Sequence, residues 1–344
     1  MKKLILSLFF AVLISSCSDT DDSNSNDNTP NLTVATFAAS NSTTSQITFK
    51  TGGTVTSTGN TVAIQRGICW NIEGNPTVLT NKVSAGTGNG TFETIITERA
   101  PDVSYHVRAF AITETDTVYG NDVTLQTKPF AIPGNGVMDE CGNNYPTVIL
   151  ADREWMAENL KATCYQNGDA IQAATSQANW TSQTSSQTGI YLNYANSVSN
   201  GVEYGKLYSW FAINDARKIS PVGWSVPSQA DFENLRQYIL DYRESDNLMV
   251  GKTLKTTATG SWTNDIAGTT NSAGFYALGA GNYDVENNLN LGFQNLNLRT
   301  WFWTRENQTL DGMVYELRSS NHQFNWWTKD KIRFAASVRC IKNP

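Results

Sequence analysis

The stretch Pro221-Val222-Gly223-Trp224-Ser225-Val226-Pro227-Ser228-Gln229-Ala230-Asp231-Phe232 decides how the second half of the chain is read, because it holds a helix start in a helix-poor sequence. Ser228 with Asp231 three residues on is close to a capping box, in which the serine and the acid each satisfy a backbone N–H of the first turn. Phe232, Leu235, Ile239 and Tyr242 then recur at helical spacing and predict one amphipathic helix over about 228–242. Outward on both sides, Gly, Asn and Thr punctuate short apolar runs, and 204–212 is apolar at a spacing that fits neither helix nor strand. The second half is therefore expected to be α+β, with few helices and many loops.

The chain has 344 residues, room for two or three domains at ~100–200 residues each. Nine of its ten tryptophans lie from Trp155 on, which separates an aromatic-rich second half from the first. With 25 Lys and Arg against 31 Asp and Glu, the net charge of −6 leaves no basic stripe for phosphates, so nucleic acid is not an expected partner. Only two histidines, His106 and His322, are present, and neither carries a zinc or triad motif; no phosphate loop or dinucleotide turn is found. No cofactor, no metal and no catalytic constellation are expected; Glu158, Asp215, Asp231 and Asp284 are acids without a recognisable pairing.

From Leu32 onward, β-rich runs at Gln46–Lys50, Thr61–Trp70, Thr91–Ile96, Ser104–Thr113 and Asp122–Thr127 are separated by turn residues, the pattern of a β-sandwich over 31–128. Period two places Tyr105, Val107, Ala109 and Ala111 on one face of their strand, and makes His106 a surface strand residue. The run Pro101-Asp102-Val103-Ser104-Tyr105-His106-Val107-Arg108-Ala109, with Trp70 and with Val118-Tyr119-Gly120, resembles a fibronectin type III domain. That resemblance implies a spacer or platform, with Tyr105 tying its strand to the preceding loop. Pro129, Pro133, Gly134 and Gly136 mark 129–136 as a linker.

Over 137–344 the motifs Trp155-Met156-Ala157-Glu158-Asn159-Leu160, Tyr204-Gly205-x-Leu207-Tyr208-x-Trp210, Pro221-x-Gly223-Trp224-x-Val226-Pro227, Asp231-Phe232-x-x-Leu235, Asn271-x-x-Gly274-Phe275 and Ser337-Val338-Arg339-Cys340 occur in the order of the Fibrobacter succinogenes major paralogous domain. That domain in turn resembles the C-type lectin and formylglycine-generating-enzyme fold, a loop-rich α+β scaffold. The motif aromatics are expected in the core, Gly205, Gly223 and Gly274 at special backbone positions, and Glu158, Asn159 and Arg339 as polar struts. The resemblance brings no settled activity. The reactive cysteine pair of the formylglycine-generating enzymes has no counterpart, and the calcium-binding tripeptides of sugar-binding lectins are absent.

The first sixteen residues read as a signal peptide, with Lys2 and Lys3 before an apolar run too short to span a bilayer. Ile14-Ser15-Ser16-Cys17 resembles the lipobox of bacterial lipoproteins, which implies a diacylglycerol-linked, acylated Cys17 as the mature terminus. The acidic segment 17–30 is expected to be a disordered tether, and its first residues resemble a signal for display on the outer-membrane surface. Of the remaining cysteines, Cys69 is alone in the first domain, and three complete pairings of the four are open. Against the family motifs, Cys141 and Cys164 fall outside while Cys340 falls inside, which favours a Cys141–Cys164 bridge.

The expected function is that of a surface lipoprotein, membrane-attached through its lipid, which binds an extracellular glycan or protein through the second domain. The alternatives are a structural adhesion or surface-layer component and an enzyme-lineage domain of unknown activity. Trp326 and Trp327, in a segment expected to be a loop, and Arg305, beside Trp301 and Trp303, are the candidate ligand contacts.

Overall fold

The computed structural model describes residues 32–243, 246–285, 292–307 and 309–344. Residues 1–31, which include the expected signal peptide, the expected tether and Cys17, lie outside the described residues. The chain folds into a β-rich, multidomain structure of several sheets with few helices.

In the first unit, Phe49–Ser57 pairs with Leu32–Thr36, Thr43–Thr44 and Gly90–Ile96. The second sheet orders Asn81–Ser84, Gln65–Asn71 and Ser104–Ile112, with Thr117–Tyr119 and Val123–Gln126 on the last. Phe49, Val55 and Phe92 from one sheet meet Ile68, Trp70, Val107 and Ala109 from the other in one buried cluster. The expected face of Tyr105, Val107, Ala109 and Ala111 is buried, and the Tyr105 hydroxyl accepts the Ala100 N–H at 2.9 Å. The strand expected over 46–50 starts later and runs through Gly52 and Gly53. These glycines do not break it; Gly53 lets the sheets close, since a Cβ there would stand 2.5 Å from the Ala109 Cβ, while a Cβ on Gly52 would stand 2.1 Å from the Phe92 carbonyl oxygen of the neighbouring strand.

The second unit is built on two larger sheets, with Val137–Met138 and Asn144–Tyr145 paired in a small third one. One orders Ile132–Pro133, Thr147–Leu150, Arg153–Met156, Ile341–Lys342 and Trp224–Ser225. Its central hairpin turns through Ala151 and Asp152, both at positive φ, as a two-residue turn matched to strand twist requires. The other sheet has nine strands and ends in Arg299–Asn307, Asp311–Arg318 and the edge strand Asn325–Asp330. Between the sheets lies the helix Gln229–Tyr242, opened by the full capping box of Ser228 and Asp231. Its Phe232, Leu235, Tyr238 and Ile239 join Trp155, Phe275, Phe302 and Tyr315 in an aromatic core. Gly205, at φ 79°, packs against Asn159, and Gly223 and Gly274 are also at positive φ.

The segment 129–136 is not a free linker. Phe130 is 1% exposed, stacks on Tyr238 at 4.7 Å between ring centroids and lies under Arg243, while Ile132–Pro133 adds an edge strand to the five-stranded sheet. Its prolines and glycines shape that strand end and the turn after it, and the apolar Phe130-Ala131-Ile132 supplies the anchoring surface. From the sandwich, the buried Gln46 side chain reaches across the junction. Its amide donates to the carbonyls of Pro129 (2.9 Å), Phe130 (2.7 Å) and Ile149 (3.1 Å) and accepts the Asp152 N–H (2.8 Å), while its backbone N–H donates to the Asp152 carboxylate at 2.9 Å. The two units meet through a polar clamp.

Candidate functional site

The edge strand carries the two candidate tryptophans. Residues 325–330 form a strand rather than a loop, with Trp326 opposite Tyr315 and Trp327 opposite Val314. Successive strand side chains point to opposite faces, so these neighbours in sequence are separated by the thickness of the sheet. With no further strand beyond this edge among the described residues, they remain 48% and 46% exposed.

On the Trp327 face the register sets Lys329 opposite Gly312, Trp327 opposite Val314 and Asn325 opposite Glu316, and in the next pair Trp303 opposite Val314, Trp301 opposite Glu316 and Arg299 opposite Arg318. Exposure falls across the row. Trp301 and Trp303 are buried, each edge-on to Phe334 at 5.8 Å, whereas Trp327 stands at the rim. Glu316 is 3% exposed, its Oε2 2.7 Å from Arg318 Nη2 and its Oε1 3.4 Å from Arg299 Nη1. The Arg318 guanidinium carbon lies 5.6 Å from the Trp327 ring centroid, and Lys329 Nζ lies 4.9 Å from that of Phe334. On the opposite face, Trp326 stands beside Tyr315, whose hydroxyl donates to Glu233 at 2.6 Å and whose phenol burial pushes far up.

Arg305 belongs to different surroundings. It is exposed, its N–H donates to the Pro227 carbonyl at 3.0 Å, and it lines a cavity of 330 Å³ with Asp215, Trp224 and Asn343. No cavity described brings it together with Trp326 or Trp327. A larger cavity of 540 Å³ lies between Trp210, Phe211, Asn214 and Leu310, where Lys331 Nζ is 4.2 Å from the Trp210 ring centroid.

The remaining candidates are structural in their contacts. Cys141 and Cys164 are joined in a disulfide with Cα atoms 5.9 Å apart. Cys69 and Cys340 are free, buried thiols; burial pushes Cys69 up to about 11 and Cys340 higher, so neither is a thiolate at neutral pH. Arg339 is fully buried among carbonyls: its guanidinium donates to Asn159 Oδ1 at 3.0 Å, to the carbonyls of Met156 and Tyr276 at 3.3 and 3.2 Å, and to that of Phe275. Burial lowers it to about 9, still cationic at neutral pH. Glu158 pairs with Lys161 at 2.7 Å, Asp215 with Arg217 at 2.7 Å, and Asp231 with Arg153 at 3.3 Å besides capping its helix. Asp284 ends the strand Ala280–Asp284, where it is in register with Phe334. His322 is buried, with Nε2 3.2 Å from the Ala267 carbonyl, and its burial lowers its pKa. Among the described residues no group of three or more His, Cys, Asp or Glu side chains could hold a metal.

Sequence reading missed Arg299, Glu316, Arg318 and Lys329 as neighbours of Trp327. The signal was available only in part: Trp327 and Lys329 share a face once 325–330 is a strand, but the partners across the sheet depend on register.

The chain matches the family model described as the Fibrobacter succinogenes major domain over residues 148–342. No curated protein matches it. Among solved structures, the sensor domain of the anti-sigma factor RsgI4 of Pseudobacteroides cellulosolvens is similar at 13% identity, covering 28% of this chain and 95% of that one, with a TM-score of 0.23. A likeness of that size supports no conclusion about this protein.

Proposed function

The chain belongs to the Fibrobacter succinogenes major domain family, and on that premise we propose that it is a lipid-anchored protein of the bacterial outer surface whose family domain binds an extracellular glycan. The observation that carries the proposal is the edge strand with its two half-exposed indoles, Trp326 and Trp327, held on a rigid sheet. An indole that projects from a fixed strand offers a flat apolar face at little entropic cost on binding. The sandwich is the spacer in this scheme. Its strand pairing and the Tyr105–Ala100 hydrogen bond support the fibronectin type III resemblance, and the clamp at Gln46 would hold the head at a fixed angle to it. The lectin-like reading of the second unit rests on the family motifs and on its loop-rich α+β build.

A panel of immobilised glycans probed with the mature chain and with Trp326→Ala/Trp327→Ala tests the binding. Retention of wild type and loss in the variant, at unchanged thermal melting, is expected. Retention that the double variant leaves intact, or no retention by any glycan, overturns the proposal. The anchor is tested separately by intact mass: Cys17→Ala is expected to leave unprocessed or soluble protein, and an unlipidated wild-type terminus would contradict it.

A further inference from the structure

We propose that the Trp327 rim is a subsite for an acidic sugar, a pyranose stacked on the exposed indole with its carboxylate or sulfate held by Arg318. The inference rests on the glycan-binding reading and adds the ligand's charge. Its basis is a local inversion of charge. The chain as a whole is at −6, yet on this face Arg299 and Arg318 flank a single carboxylate, Glu316, and the Arg318 guanidinium lies 5.6 Å from the Trp327 ring centroid. The next acid along the strand, Asp330, faces away by alternation and accepts the backbone N–H groups of Ile332 and Arg333.

Hydrogen-bonding capacity points the same way. Both oxygens of Glu316 are taken by the two guanidinium groups, and the residue is buried, so it is a poor acceptor for sugar hydroxyls. A guanidinium carries five N–H donors and no acceptor, so Arg318 and Arg299 retain donors after pairing with Glu316. A surface that offers donors, cations and a flat ring, with its acceptor already used, suits an anion on a ring rather than a neutral polyol. Glu316 also fixes the guanidinium of Arg318 beside the indole before any ligand arrives, which reduces the ordering needed on binding. Glu316 is thus a positioning residue, and Trp327 and Arg318 are the contacts.

The test is retention of the mature chain in gels cast with polygalacturonate (carboxylate), dextran sulfate (sulfate) or mannan (neutral). Retention by at least one anionic polymer is expected, weakening as salt rises, with about a tenfold loss for Arg318→Ala and for Trp327→Ala. Arg318→Lys and Trp327→Phe are expected to keep part of the retention, and melting of each variant near wild type shows that the fold persists. Which of the two anionic polymers is held identifies the anion. Equal anionic retention by Trp327→Ala means ion exchange by surface charge and overturns the subsite. Retention on mannan that Trp327→Ala abolishes and Arg318→Ala leaves unchanged overturns the acidic sugar but leaves glycan binding standing. No retention on any polymer overturns both.

Discussion

Replacing Gln46 with alanine removes the amide that joins the two units. In the native structure that amide makes four hydrogen bonds across the junction, three to the carbonyls of Pro129, Phe130 and Ile149 and one from Asp152 N–H. The Phe130 carbonyl keeps the Tyr238 hydroxyl at 2.7 Å, so it stays satisfied, whereas the Asp152 N–H loses the partner it has in Gln46. At roughly 1 kcal/mol net for each of the four hydrogen bonds, the loss comes to about 4 kcal/mol, and more where a buried group is left unpaired. It falls on the junction rather than on either core. Differential scanning calorimetry of the mature chain should therefore show the first unit melting earlier in Gln46→Ala, as a separate or broadened transition, with the second unit little changed. A variant whose melt overlays wild type to within about 0.5 kcal/mol would show that these hydrogen bonds do not couple the units, and the rigid stalk would be refuted.

Burial of Glu154 alone would raise its pKa, but hydrogen bonds from Lys342, Thr147 and the Asn135 N–H outweigh it and hold the carboxyl below the usual range. A depressed folded pKa contributes stability fully present above the ordinary value of 4.5 and lost as pH falls through the folded one. Urea unfolding at pH 7 and at pH 3 should show a smaller loss on acidification in Glu154→Gln than in wild type. Reduction of the Cys141–Cys164 disulfide, which spans 23 positions of sequence, should cost about 3 kcal/mol, read as a shift of the second unit's denaturation midpoint only. Gly53→Ala places a methyl group 2.5 Å from the Ala109 Cβ and 2.6 Å from the Ala35 carbonyl oxygen, so the sandwich should lose about 1–3 kcal/mol in the same measurement.

The parts of the fold that were legible are those whose cause is local. Ser228 and Asp231 announce their helix because a capping box is a contact between residues three apart, and the alternation over 105–112 announces a half-buried strand. The misread parts depend on what lies across a gap. Gly53 looks like part of a turn until Ala109 of the opposite sheet is seen to need its missing side chain. Phe130 looks like part of a linker until Tyr238, 108 positions away, is seen to stack on it. The candidate site divides in the same way: Trp326 and Trp327 are visible as aromatics in a polar setting, but two adjacent tryptophans hide the alternation of their strand. The cations beside Trp327 come from strands whose register no local pattern fixes.

The central claim is that ligand is held at the Asn325–Asp330 edge. Hydrogen–deuterium exchange of the mature chain, with and without the polysaccharide that retains it, locates the contact directly. Slower exchange confined to 325–330 and the neighbouring Asp311–Arg318 strand is the predicted result. Protection that appears instead around Trp210, Phe211 and Leu310, or in the cavity lined by Arg305, with the edge strand unchanged, would contradict it.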